Sequence, residues 1–92
     1  MAADPAQIEA LLRAALAPSF LTVRDDSAAH AGHAGAASGG GHYDVTIVSE
    51  QFAGQSRVAR HRMVYDALRS LFPAQIHALA VSAFTAQEYQ SR

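Results

Sequence analysis

A small α+β domain in the order α-β-β-α-β-α, with a three-stranded mixed sheet covered by helices, is what three features of this 92-residue sequence predict. Two helix-period stripes each end at a proline, at Pro18 and Pro73. Three short runs rich in β-branched and aromatic residues fall between and after them. Half of the chain is hydrophobic by type, but 21 of those residues are Ala, so the bulky side chains suffice for one core only. We therefore read residues 1–92 as a single domain.

Asp4-Pro5-Ala6-Gln7 opens the first helix. Asp is a cap, Pro sits where its missing N–H costs nothing, and Gln closes a capping box. The helix should run from about Pro5 to Ala17, with Ile8, Leu11, Leu12, Ala15 and Leu16 on the inner stripe and Glu9–Arg13 as an outer i,i+4 pair. Phe20–Arg24 and Tyr43–Ser49 read as antiparallel strands, the second setting Tyr43, Val45 and Ile47 against Asp44, Thr46 and Ser49. Between them, residues 27–41 hold five of the six glycines and no periodicity, which predicts a long flexible Gly/Ala/His loop.

Phe52 should tuck inward in a tight turn with Gly54, and Ser56 should cap a second helix reaching about Leu71. His61, Val64, Tyr65, Leu68, Leu71 and Phe72 lie on or beside its inner stripe, while Arg62 and Asp66 suit an outer pair. Gln75–Phe84 is nearly continuous in apolar residues, as for a strand covered by helices. Thr85-Ala86-Gln87-Glu88 is a second capping box, opening a short last helix.

Several function classes are disfavoured. With no Cys there is no disulfide, thiolate site or cysteine nucleophile, and the absence of Lys removes any lysine-bearing phosphate loop. The serines stand in no nucleophile elbow and the acids form no catalytic pair, so the expectation is a non-enzyme. The start, Met1-Ala2-Ala3-Asp4-Pro5, lacks the basic and apolar regions of a secretory signal, and no run approaches the roughly 18 apolar residues of a membrane span. A cytoplasmic protein without membrane partners is expected. A net charge of −1 also argues against unspecific nucleic-acid binding.

The histidines are the chemical signal. A helical crossover returns the chain parallel to the preceding strand, so His77 should lie beside the start of strand two, where the glycine-rich segment joins. His30, His33, His42 and His77 can then converge on one sheet edge. On the residues alone, His77 at a strand mouth suits either a metal ligand or a hydrogen bond to a loop carbonyl. His30 and His33 suit either a weak ligand pair or a solvated loop. Arg57, Arg60 and Arg62 at the second helix start are candidate phosphate contacts, against a plain structural reading in which His61 holds the helix to the sheet.

Val48-Ser49-Glu50-Gln51-Phe52-Ala53-Gly54, Arg60-His61-Arg62-Met63-Val64-Tyr65 and Ile76-His77-Ala78-Leu79 together resemble the successive signatures of the BolA family. The resemblance spans the first helix to Glu88. It implies a fold like the KH fold of the second type, a [2Fe-2S] cluster shared with a monothiol glutaredoxin and its glutathione, and in bacteria a role in transcriptional regulation. It favours His77 as a ligand, with His30 the better positional match in the loop and His33 as its alternative.

Two features depart from the family pattern. Members typically carry Thr-Pro with an acidic residue and a Trp near the end, where this chain has Thr85-Ala86-Gln87-Glu88-Tyr89, and the loop is richer in Gly and Ala than in many members. A chain that offers imidazole but no thiolate needs its sulfur donors from a partner, and two imidazoles do replace two thiolates in Rieske-type clusters. No cofactor is expected in the isolated chain. DNA binding is the alternative. It is weakened because the turn reads Gly54-Gln55-Ser56-Arg57, without the second Gly of a GXXG clamp.

Overall fold

The computed structural model describes residues 3–26 and 41–92. Helix α1 spans Pro5–Leu16, β1 Phe20–Asp25, β2 Gly41–Val48, α2 Arg57–Ala67, β3 Ile76–Phe84 and α3 Ala86–Ser91, with single 3-10 turns at Glu50–Phe52 and Arg69–Leu71. The expected order holds. Both capping boxes form: Asp4 and Gln7 close α1, and Thr85 and Glu88 close α3. Ala17 adopts a left-handed conformation, φ 45°, so α1 ends one residue earlier than its pattern suggested. The Glu9–Arg13 pair forms at 3.5 Å.

The sheet order is β1-β2-β3, with β1 antiparallel and β3 parallel to β2. Central β2 alternates, its Tyr43, Val45 and Ile47 facing a core shared with Ile8, Leu12 and Leu16 of α1 and Val64 and Leu68 of α2. One face of the sheet is thus covered by the two longer helices. Leu11 is only half-buried and Ala15 is exposed, so the inner stripe of α1 is narrower than expected.

Two further expectations are corrected. The second helix does not continue to Leu71: it ends at Ala67, and the chain tightens through Leu68 into the 3-10 turn, which still buries Leu68 and Leu71. Strand β3 is not a covered strand. As an edge strand it leaves Ala78, Ala80 and Ser82 exposed on the outer face, while Leu79, Val81 and Ala83 pack partly on the core. Its apolar run reflects small alanines, which lose little by facing water.

The outer face is capped at one end only. Phe20, Val48 and Phe84 share a rung of the sheet, and Tyr89 of α3 lies 5.2 Å from the Phe20 ring and 5.6 Å from the Phe84 ring. Val48 is consequently 2% exposed although it points away from α1 and α2. Buried Ser49 ties the strand end to α1, its Oγ donating to the Leu16 carbonyl at 2.6 Å.

Candidate metal-ligating corner

Strand β3 starts beside the start of β2, and the register there carries a bulge: Gly41 faces Ile76 and His42 faces Ala78. His77 is the extra residue. A bulge re-aims the side chain it carries, and here the imidazoles of His77 and His42 lie side by side, ring centroids 5.2 Å apart and planes at 47°. His77 is exposed and His42 half-buried.

The backbone around this pair is fixed from several directions. The Gln75 carbonyl accepts from both Gly41 and Ala3 N–H, each at 3.1 Å, and the Asp26 N–H donates to the His42 carbonyl at 2.7 Å. Gly41 is required because a Cβ there would collide with the Tyr43 ring and hydroxyl. That buried hydroxyl donates to the Ala3 carbonyl. Burial, followed by the nearby Asp25 and Asp4 charges, raises its pKa, so it remains a donor. Beside the rings, Asp26, His42, Tyr43, Ala78, Leu79 and Ala80 line a shallow depression of about 250 Å³. Arg24 pairs with Asp26 at 3.4 Å and Asp44 at 3.0 Å along the same edge.

His30 and His33 lie outside the described residues, in the segment 27–40 whose flanks, Asp26 and Gly41, both stand at this corner. Gly41, expected in that loop, instead opens β2. Among the described residues no group of three or more His, Cys, Asp or Glu is placed to hold a metal ion. Among the described residues the candidate site is therefore an imidazole pair. His42 was legible in sequence as a convergent histidine, but only the bulge sets its ring against His77.

The arginines gather elsewhere, at the far end of β3. Gln55, Arg57, Arg60, His61, Val81, Ser82, Ala83, Phe84 and Glu88 line a groove of about 470 Å³. Arg60 is engaged within the fold: its guanidinium grips Glu88 and donates to the Ala83 carbonyl at 3.2 Å, and its Nε donates to Gln55 at 3.0 Å. Arg57 and Arg62 are exposed, and the Arg62–Asp66 pair is not among the ion pairs formed by the described residues. His61 lines the groove, and among the described residues no side-chain hydrogen bond ties it to the sheet. Tyr65, read as a buried packing residue, is 41% exposed; it stacks on Phe72 at 5.2 Å and donates to the Leu79 carbonyl at 3.1 Å.

The fold is a mixed three-stranded sheet with its two longer helices on one face, and a histidine pair stands at its parallel strand start. The sequence profile of the BolA-like protein family matches residues 12–88. The chain is 40% identical over 84 residues to the DNA-binding transcriptional regulator BolA of Escherichia coli (strain K12), covering 91% of this chain and 77% of that one. It is 43% identical over 83 residues to the protein of the same name from Vibrio cholerae, covering 90% and 76%. Among solved structures, the BolA domain of SufE1 from Arabidopsis thaliana superposes with a TM-score of 0.82 at 37% identity, covering 96% of this chain and 98% of that one. The chain belongs to the BolA-like protein family. Among the described residues no helix is long and apolar enough to cross a membrane.

Proposed function

We propose that this protein is a non-enzymatic partner of a monothiol glutaredoxin and co-ligates a bridging [2Fe-2S] cluster through histidine, acting in iron-sulfur cluster trafficking or iron-status signalling in the cytoplasm. The observation that carries this reading is the exposed His77 imidazole at a bulged strand start, at the same corner to which the segment bearing His30 and His33 is tied. The donor set fits such a group: imidazoles are present, and a chain without Cys leaves the sulfur donors to the glutaredoxin and its glutathione. When bound, the cluster supplies one-electron chemistry and a transferable iron-sulfur unit. The chain's own task is to present His77 from a fixed strand, with His30, or His33 in its place, completing the imidazole contribution.

The test mixes the protein with a monothiol glutaredoxin, iron, sulfide and glutathione and records visible absorption and circular dichroism. A cluster spectrum altered by this chain is expected; a spectrum identical with and without it overturns the reading.

DNA binding is the second reading, favoured by the names of the two bacterial relatives and by exposed Arg57 and Arg62 beside the groove. In a DNA titration at several salt concentrations, this reading requires Arg57→Ala and Arg62→Ala each to reduce the salt slope by about 1. Arg60 is less suited to the role because its guanidinium is committed to Glu88.

A further inference from the structure

The geometry points to a two-imidazole site, formed by His42 and His77, that holds a single Zn²⁺-type ion in the isolated chain. An imidazole nitrogen binds such an ion at about 2.0–2.1 Å with tetrahedral geometry. The ring centre lies about 1.1 Å behind its nitrogen, so two rings on one tetrahedral ion have centres about 5.2 Å apart. The His42 and His77 centres are 5.2 Å apart.

Distance alone does not single out this pair, since the Tyr65 and Phe72 rings pack at the same 5.2 Å. Those rings stack at 20°, whereas the imidazoles are inclined at 47°. They also carry ring nitrogens of the kind that ligate metal ions, and His77 is exposed. The register bulge is a second, independent observation: it inserts His77 as an unpaired residue beside His42. Bulges of this kind recur next to functional sites.

Both rings rise from paired strands whose backbones are fixed by the Gln75 and Asp26 hydrogen bonds, so little main-chain entropy remains to be lost on binding. No third His, Cys, Asp or Glu among the described residues joins them. The described part of the chain thus supplies two of the four positions. Imidazole ligation selects Zn²⁺, Co²⁺ or Cu²⁺ over Mg²⁺ or Ca²⁺. The proposal rests on the same corner as the cluster reading and deepens it. Because His77 serves both, an ion seated here competes with cluster sharing.

The experiment titrates the full chain with ZnCl₂ while following the ring nitrogens of its histidines by long-range ¹⁵N NMR, with MgCl₂ as control. Expected is a joint shift of His42 and His77, saturating at one equivalent, with no response to Mg²⁺. His42→Ala and His77→Ala, each checked for a native amide spectrum, should weaken binding at least about tenfold, whereas the His30→Ala/His33→Ala double variant should bind as the parent does. Unchanged binding in His42→Ala overturns the proposal, as does its loss in the double variant. Intact Zn²⁺ binding by a chain that never alters the glutaredoxin cluster defeats the cluster reading and leaves this site standing. A shared cluster without Zn²⁺ binding does the reverse.

Discussion

The Arg60 guanidinium and the Glu88 carboxylate meet in a two-pronged pair, Nη1–Oε1 at 2.6 Å and Nη2–Oε2 at 3.1 Å, which joins the start of α2 to the last helix. The same carboxylate accepts the Thr85 N–H at 2.9 Å, and Glu50 accepts the Ala86 N–H at 2.9 Å. One carboxylate thus serves as a helix cap and as an ion-pair partner. These bonds place Tyr89 over the rung formed by Phe20, Val48 and Phe84.

The Glu88–Arg60 pair makes stability depend on acid. The hydrogen bond from Arg60 comes first and the Thr85 backbone bond second in lowering the Glu88 pKa from 4.5 to about 2. A folded-state pKa below the unfolded value means that the contribution is present above about pH 4.5 and is lost as pH falls toward 2. Thermal unfolding midpoints across that window should fall with acid in the parent, and the Glu88→Gln variant, which keeps an oxygen for the cap, should show a shallower slope. Equal slopes would show that this pair is not the titrating element.

Leu68 is fully buried where α2 tightens into its 3-10 turn. Leu68→Ala should cost about 2–5 kcal/mol, through lost transfer energy and the cavity left behind. Chemical denaturation reads this directly. A variant with the parent's midpoint would contradict the assigned core.

Gly41→Ala tests the packing that supports the histidine corner. The added methyl would meet the Tyr43 ring, which is held against the Ala3 carbonyl. Overpacking should cost about 1–3 kcal/mol. Combined with Tyr43→Leu, the loss should be smaller than the sum of the two single losses, because the two residues share one volume.

Unequal ligand roles follow if the cluster reading holds. His77→Ala should nearly abolish the shared cluster, because its imidazole is presented from a fixed strand. His30→Ala should weaken it, with His33 substituting in part, and the double loop variant should match the His77 loss. Pulsed electron paramagnetic resonance on the reduced cluster measures the nitrogen couplings. Couplings unchanged in His77→Ala would remove that residue from the ligand set.

Local structure was legible in the residues themselves. Asp4 with Gln7, Ser56, and Thr85 with Glu88 marked the helix starts, since caps act within one turn. The alternation of Tyr43, Val45 and Ile47 fixed the inner face of β2, and the three family blocks identified His77 as a candidate. Features that depend on partners distant in the chain emerged only on folding. The apolar run of β3 could not reveal an edge position, because alanines suit covered and open faces alike. The early end of α2 depends on how Leu68 and Leu71 reach the core, and helical periodicity is blind to that. Arg60 looked like its neighbours Arg57 and Arg62 until folding brought Glu88 to it across 28 residues. His42 and His77, 35 positions apart in the chain, become a pair only through a one-residue register slip, because strand pairing is set by the packing of whole faces and not by the residues at the corner.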